Sequence, residues 1–257
     1  MRALARRLVA GALAITLLAV LTACNPRASE WTDAEYAIAS GGSTGVYYDY
    51  GSHLAEELSA SLDIRMGAQE TAGSVDNLLR VSSGEALIGF AQGDAAADAV
   101  AGTGAFDTPL EVQALARLYD EYVQVVVRGD SEIDDVGDLA GRTISLGAEN
   151  SGVNVIAARV LDAAGVDLGS VRNPQLDLSE SIGAMERGEI DGFFWVGGLP
   201  TPGVAELSER SPVRLLPIEQ EWVNEVNERY SHAYRPADVP AGTYGLVDSA
   251  PTMAVFF

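Results

Sequence analysis

Residues 38–62, IASGGSTGVYYDYGSHLAEELSASL, decide the fold: an apolar strand breaks into a Gly/Ser/Thr loop, and the loop opens an amphipathic helix. Apolar side chains at every fourth position predict one buried helix face. They are Val46, Tyr50, Leu54, Leu58 and Leu62. Ser43 or Thr44 is a suitable N-cap, because a hydroxyl oxygen accepts a first-turn backbone N–H. The loop presents amides at the positive end of a helix dipole, which suits a carboxylate, although a capped helix start that binds nothing has the same pattern.

A second loop of this kind lies in the other half of the chain. Residues 142–146 (RTISL) predict a strand, residues 147–152 (GAENSG) a loop, and residues 153–164 a helix that Gly165 ends. Both halves also contain a helix that ends in Gly-Glu before a buried strand, in SGEALIGFAQ and MERGEIDGFFWV. The repetition predicts an α/β fold of two similar lobes, with the paired loops facing a ligand cleft between them.

The remaining periodic segments predict the other elements of the two lobes. Strands are expected at residues 36–40, 62–67, 86–91, 112–119, 122–128 and 213–218. Asp94 stands at a predicted helix start and is either a cap or a ligand contact. Trp195 is either a core residue or the wall of a pocket.

The composition excludes several classes of partner. The chain has 257 residues, enough for two lobes, and 47% of them are hydrophobic, which argues against disorder. The net charge is −21, and all 16 basic residues are Arg. Long-range repulsion therefore opposes nucleic acid or anionic lipid as a partner.

Residues 1–24 predict a signal peptide rather than part of the fold. Three Arg residues precede an apolar run at residues 8–21, and LTAC then places small residues before Cys24. This pattern resembles the lipobox of bacterial lipoproteins, in which the cysteine becomes the lipid-bearing first residue. Cys24 is the only cysteine, so an intrachain disulfide and a cysteine-based metal site are excluded. Residues 25–35 would form a tether, and the protein would be extracytoplasmic.

The motif G-x-S-x-G at residues 41–45 raises serine hydrolysis as an alternative function, with Ser43 as the nucleophile. A triad would need a base, and the chain has only His53, on the same predicted helix, and His232. A P-loop is excluded because the chain has no Lys. We expect no enzyme activity, no metal site and no cofactor.

Six segments together resemble, in the same order, the TAXI-type solute-binding proteins of TRAP transporters. They are YAIASGGSTGVYY, TAGSVDNLL, IGFAQGDAA, VGDLAGRTISLGAENSGV, GEIDGFFWVGGLP and AGTYGLVDSAPTMAV. The resemblance implies a periplasmic-binding-protein-like fold (type II-like). It also implies a small carboxylate or amino-acid ligand, such as glutamate, and delivery of that ligand to a TRAP-type membrane permease.

The same resemblance implies the site residues and the domain limits. The implied ligand contacts are Ser43, Thr44, Gly45, Tyr47, Glu70, Thr71, Ser74, Gln92, Asp94, Asn150, Ser151, Gly152, Trp195, Gly197, Gly198 and Pro200. The expected domains are lobe 1 at residues 36–122, a crossing strand at 123–128, lobe 2 at 129–218, and a return to lobe 1 at 219–257. The family continues with C-terminal helices after the strand at the end of this chain, so we expect those helices to be missing here.

Overall fold

The computed structural model describes residues 34–257. The predicted signal peptide, Cys24 and residues 25–33 of the predicted tether lie outside the described residues. Within residues 34–257, no helix combines the length and the apolar character needed to cross a membrane.

Strands and helices alternate along the described chain. The strands are β1 (Glu35–Ala39), β2 (Arg65–Gln69), β3 (Ile88–Gly89), β4 (Asp120–Arg128), β5 (Ile144–Ser145), β6 (Gly192–Gly197), β7 (Val213–Leu215), β8 (Tyr234–Val239) and β9 (Ala250–Phe256). The helices are α1 (Val46–Leu62), α2 (Ser74–Ser83), α3 (Gly93–Ala101), α4 (Gly152–Ala163), α5 (Leu178–Glu186), α6 (Pro202–Arg210) and α7 (Gln220–Arg229). The predicted α/β class is confirmed.

The strands form two separate sheets. The first has the order β2-β1-β3, with β1 parallel to both neighbours. The second has the order β5-β6-β4-β9-β8, and β7 also pairs with β4. In this second sheet β4 is antiparallel to β6, β7 and β9, whereas β5 and β6 are parallel.

Strand β4 shows why the second sheet is covered on both faces. Its alternating side chains point to opposite sides of the sheet. Val123, Val125 and Val127 enter one buried cluster, with the helices α4 and α7. Val126 enters the other cluster, where Leu207 of α6 packs. A strand buried on both faces needs apolar residues at successive positions, which the segment VVV supplies.

Helix α1 packs on the first sheet through its smallest residues, which corrects the predicted apolar face. Gly51 and Ala55 are buried, whereas Tyr50 and Leu62 are exposed. A side chain at Gly51 would overlap the Ser40 hydroxyl and contact Phe90. The helix approaches the sheet closely, and this requires small residues at the contact. The apolar side chains predicted at every fourth position lie to one side of the face that contacts the sheet.

Two further expectations about local structure are wrong. Residues 112–119 form no strand, and Leu115 among them is 78% exposed. A strand needs a neighbour for its backbone hydrogen bonds, and in this segment only Leu118 and Tyr119 bond to a neighbouring strand end, at Phe257. The cap of α1 is Gly45, with no side-chain hydrogen bond, so neither Ser43 nor Thr44 caps the helix.

Several other strands are shifted or shortened. Strand β2 starts later than predicted, because α1 continues to Leu62 and Asp63 then reverses the chain with φ 54°. Strand β3 spans two residues of the six predicted, and β7 spans three of the six predicted at residues 213–218. Helix α6 and strand β8 had no sequence prediction.

The last two strands join the second sheet rather than the first. β9 pairs with β4 and with β8. Phe257 then packs against Ile38 and Phe90 of the first sheet's core and stacks on the Tyr47 ring at 4.4 Å between ring centroids. The proposed limits of the two lobes, as units that move, stay a prediction.

Asn77 on α2 joins three segments of the first sheet at the edge where the loops begin. Its side-chain amide donates to the Ser40 carbonyl (2.6 Å) and to the Phe90 carbonyl (2.8 Å), at the ends of β1 and β3. Its oxygen accepts the Thr71 hydroxyl (2.6 Å). The side chain is fully buried. Asn77 therefore fixes the positions from which the loops leave the sheet.

We expect Asn77→Ala to lower the free energy of unfolding by about 2–4 kcal/mol, because it leaves two buried carbonyls and a hydroxyl without partners. The measurement is urea unfolding followed by circular dichroism. The matched control is Ser82→Ala, an exposed position on the same helix, for which the change should stay within about 0.5 kcal/mol. Equal effects of the two substitutions would contradict this role.

Candidate functional site

A cavity of about 310 Å³ lies between loops of the first sheet and loops of the second. The first half contributes the β1–α1 loop, the β2–α2 loop and Gln92. The second half contributes the loop at residues 147–153, the start of α5 and the end of β6. The volume is in the range of small-molecule sites.

Five helices begin at this cavity. Their N-cap residues all line it: Gly45 (α1), Gly73 (α2), Gln92 (α3), Ser151 (α4) and Asp177 (α5). The first-turn N–H groups of a helix have no intrahelical acceptor, and they carry the positive end of the dipole. The cavity therefore collects five positive backbone termini.

The capping of these helices differs between the two halves. The Ser151 hydroxyl accepts the Asn154 N–H (3.0 Å), and the Asp177 carboxylate accepts the Glu180 N–H (2.8 Å). The N-caps of α1, α2 and α3 form no side-chain capping bond. Among the helices that begin at the cavity, those without a capping side chain all belong to the first half, and their N-termini suit an anionic group of a ligand.

The structure brings together eleven of the sixteen site residues implied by the resemblance. Those that line the cavity are Thr44, Gly45, Tyr47, Glu70, Thr71, Ser74, Gln92, Ser151, Gly152, Trp195 and Gly197. Those outside the lining are Ser43, Asp94, Asn150, Gly198 and Pro200. Trp195 is both a wall of the pocket and a core residue. Its ring lines the cavity and also packs against the two buried clusters of the second sheet.

Asp94 belongs to a buried ion cluster rather than to the cavity wall. Its carboxylate accepts from Arg159 (3.0 Å) on α4 and from the Tyr234 hydroxyl (2.5 Å), and Arg159 also pairs with Asp98. Burial raises the pKa of Asp94 despite these donors. The cluster joins α3 and α4, the helices behind two facing loops, so Asp94 holds the walls together and does not reach the ligand space.

Backbone groups also join the loops that surround the cavity. The Asn150 carbonyl accepts the Asp76 N–H at 3.1 Å, and Asn150 adopts the left-handed conformation with φ 61°. Ser43 is exposed, and its N–H donates to Glu70 Oε1 at 2.9 Å, which lowers the pKa of that carboxyl. Ser43 thus orders the loop that precedes α1 from outside the lining.

Glu121 is the main lining residue that the sequence analysis missed. It is 2% exposed, and its Oε2 accepts from the Tyr47 hydroxyl (2.9 Å) and from Gln92 Nε2 (3.0 Å). The available signal was a carboxylate inside the run DEYVQVVVR, which otherwise reads as a buried strand. Burial raises the pKa of Glu121 to about 7, and the hydrogen bonds from Gln92 and Tyr47 oppose that rise.

The charged side chains that line the cavity are all acidic. Within the described chain, four carboxylates line the cavity and no Arg or His does. The four are Glu70, Glu121, Asp177 and Glu180. The aromatic part of the wall consists of Tyr47, Phe194 and Trp195. The site therefore offers backbone donors, acidic acceptors and aromatic rings.

The hydrolase alternative finds no support in this arrangement. His53 Nδ1 donates to the Asp49 carbonyl (2.8 Å), one turn earlier on the same exposed helix face. His232 is exposed and forms no hydrogen bond within residues 34–257. A triad needs a histidine base bonded to the nucleophile, and neither histidine of the described residues is bonded to Ser43. In the same residues, no cluster of three or more His, Cys, Asp or Glu side chains could hold a metal ion.

We expect Glu121 to make the ligand-free protein less stable as pH rises. Its folded pKa of about 7 exceeds the unfolded value of 4.5, so the fold favours the protonated form. That contribution is complete below the unfolded pKa and is lost as pH rises through 7. Between pH 5 and pH 8, Glu121→Gln should gain about 2–3 kcal/mol in free energy of unfolding relative to the wild type.

Urea unfolding of both proteins across this pH range measures the effect. Exposed carboxylates whose pKa values are lowered, such as Asp138 and Glu189, also make stability depend on pH. Their contribution is the same in both proteins and cancels in the comparison. A stability difference that stays constant from pH 5 to pH 8 would contradict a protonated buried Glu121.

Several solved structures share this fold. The chain is 15% identical to a protein from Bordetella bronchiseptica RB50, with a TM-score of 0.57 over 88% of this chain and 64% of that one. It is 16% identical to the alkanesulfonate-binding protein SsuA from Xanthomonas axonopodis pv. citri bound to MOPS, with a TM-score of 0.50 over 86% of this chain and 65% of that one. The chain thus spans under two thirds of both proteins.

An ancestral arginine-binding protein bound to arginine is a third similar structure, at 14% identity. Its TM-score is 0.51, over 71% of this chain and 78% of that one. At these identities the likeness concerns the fold, which is that of the periplasmic binding proteins. A family model that matches residues 38–256, nearly the whole described chain, shows that this protein belongs to the NMT1-like family.

Proposed function

We propose that this chain is an extracytoplasmic solute receptor that captures a small carboxylate-bearing solute and delivers it to a membrane permease. The observation that carries the proposal is the convergence of five helix N-caps on one cavity between two sheets. Such a cavity binds an anion through backbone N–H groups, which need no Lys or Arg.

The place of the cavity supports the same proposal. It lies between two halves of the chain that meet at loops, so a solute held there would contact both. Receptors of this kind close around a ligand by a hinge motion. Strand β4 and the segment at residues 215–219 lie next to each other in the second sheet and are the proposed hinge.

The transporter class and the anchor are the finer parts of the proposal. The order of the six motifs supports a TAXI-type receptor that serves a TRAP-type permease. The pattern LTAC at residues 21–24 supports a lipid anchor on Cys24, which would hold the receptor at the outer face of the membrane. The same two features support the extracytoplasmic location.

We expect a small carboxylate solute to raise the melting temperature. A ligand at one hundred times its Kd adds about 2.7 kcal/mol to the free energy of unfolding, which is about 5–10 °C for a chain of this size. The measurement is a thermal-shift screen of amino acids and of di- and tricarboxylates. If no member of the panel shifts the melting temperature, the proposed solute class is wrong.

A substitution in the loop of the second half tests whether this cavity is the binding site. A side chain at Gly152 would overlap Gln92 Oε1 and lie 2.7 Å from Ser74 Oγ, which forces the Gln92 amide out of its position in the cavity wall. Gly152→Ala should weaken binding of the stabilising solute at least tenfold in calorimetry. Gly67→Ala is the control, since a side chain there meets no atom within 4 Å. Unchanged affinity in Gly152→Ala would place the site elsewhere.

A further inference from the structure

Glu121 keeps one carboxylate oxygen almost free. Oε2 accepts two hydrogen bonds, from Tyr47 and from Gln92, whereas Oε1 has only the Tyr119 hydroxyl at 3.5 Å. That distance is at the limit of a hydrogen bond. A buried carboxylate oxygen accepts about two donors when it is satisfied. Oε1 therefore has capacity for a donor from the cavity.

Gln92 supplies a second acceptor at the same place. Its Nε2 donates to Glu121, which fixes the amide orientation because the oxygen would repel the carboxylate. Its Oε1 is buried and has no hydrogen-bond partner. Gln92 and Glu121 both line the cavity. Two buried, hydrogen-bonded neighbours thus each present an oxygen that lacks a donor.

The other carboxylates of the cavity already have partners. Asp177 and Glu180 accept from each other's backbone N–H in a capping box, and Glu70 accepts from Ser43. Glu121 has no salt bridge to any described cation, and no Arg or His of residues 34–257 lines the cavity. Glu121 is therefore a buried carboxylate with no cationic partner among residues 34–257, and a cation carried by a solute could supply one.

The aromatic wall suits the same kind of partner. Tyr47 and Trp195 line the cavity, and Tyr47 also bonds to Glu121. A cation is attracted to the face of an aromatic ring, most strongly to Trp. A solute without a cationic group would gain no cation–π attraction from these rings and would be repelled by the ionised carboxylates.

We infer that the solute carries a cationic nitrogen, bound by Glu121 Oε1 and Gln92 Oε1, in addition to the carboxylate that the helix N-termini receive. The inference rests on the proposed function and narrows it to zwitterions. Amino acids and betaines fit this description. Dicarboxylates, keto acids and hydroxy acids without an amine do not.

The inference also gives the binding a pH dependence. The titratable groups around Glu121 are Tyr47 from α1, Tyr119 from the segment before β4 and Asp94 from α3, and the charge on Asp94 adds to the rise in the Glu121 pKa. Only the ionised form of Glu121 attracts a cation. With a pKa of about 7, the affinity should rise about tenfold from pH 6 to pH 8, and binding near pH 6.5 should release a proton.

The test compares solutes that differ by the amine. Calorimetry on the full chain would use L-glutamate, 4-aminobutyrate, L-arginine and glycine betaine against glutarate, 2-oxoglutarate and succinate. Glycine betaine, whose nitrogen is quaternary, is compared with the primary amines to show which kind of cationic nitrogen binds. At least one nitrogen-bearing solute should bind a hundredfold more tightly than every acid without nitrogen. Glu121→Gln should reduce this preference below tenfold.

Glu149→Gln is the matched control, because it removes one exposed negative charge near the cavity from a residue outside its lining. Its preference should equal that of the wild type. A second readout needs no variant: calorimetry in two buffers of different ionisation enthalpy counts the protons released at pH 6.5. Circular dichroism confirms that each variant is folded.

The outcomes separate this inference from the proposed function. Binding of an acid without nitrogen as tightly as the best nitrogen-bearing solute, or no proton release on binding, would overturn the cationic nitrogen and leave the solute receptor in place. Failure of every member of both groups to bind would overturn the proposed function as well.

Discussion

Five helices that begin at one cavity impose the constraint on which the site depends. The N–H groups of each first turn need acceptors, and the protein supplies a capping side chain for only two of the helices, α4 and α5. The other three begin at Gly45, Gly73 and Gln92 without one. The chain therefore leaves backbone donors of three helices at the cavity edge without a side-chain acceptor, which Ser, Thr, Asp or Asn at the N-cap would have supplied.

Buried polar groups keep these helix ends in place. Asn77 ties the ends of β1 and β3 together, and Arg159 joins α4 to the carboxylates of α3. Buried ion pairs of this kind add little net stability, but loss of one partner leaves an uncompensated charge. Their effect is geometric: they set the spacing between the two walls of the cavity. Glu121 differs from them, because its charge has no partner among the described cations.

Sequence patterns predicted the helices and strands that hydrophobic periodicity defines and the helix ends that glycine defines. The strand–loop–helix units around residues 38–62 and 142–164 are present, and Gly84 and Gly165 end their helices with positive φ. Eleven of the implied contacts line one cavity, because loops at the same sheet edge converge whatever their detailed contacts. Asp94 and Asp76 illustrate the limit: both stand at helix starts, and the Asp76–Arg80 pair is a local contact one turn apart, whereas only the fold brings Asp94 to Arg159. Glu121 was missed because the run DEYVQVVVR indicates a carboxylate in a buried strand but does not show whether that carboxylate faces a cavity.

A crystal structure of the chain with a bound solute tests the central claim most directly. The account predicts that the solute carboxylate lies within hydrogen-bond distance of first-turn N–H groups of α1 or α2. It also predicts that both sheets' loops contact the solute. A carboxylate bound outside this cavity, or a solute held by side chains with no backbone N–H contact, would contradict the account.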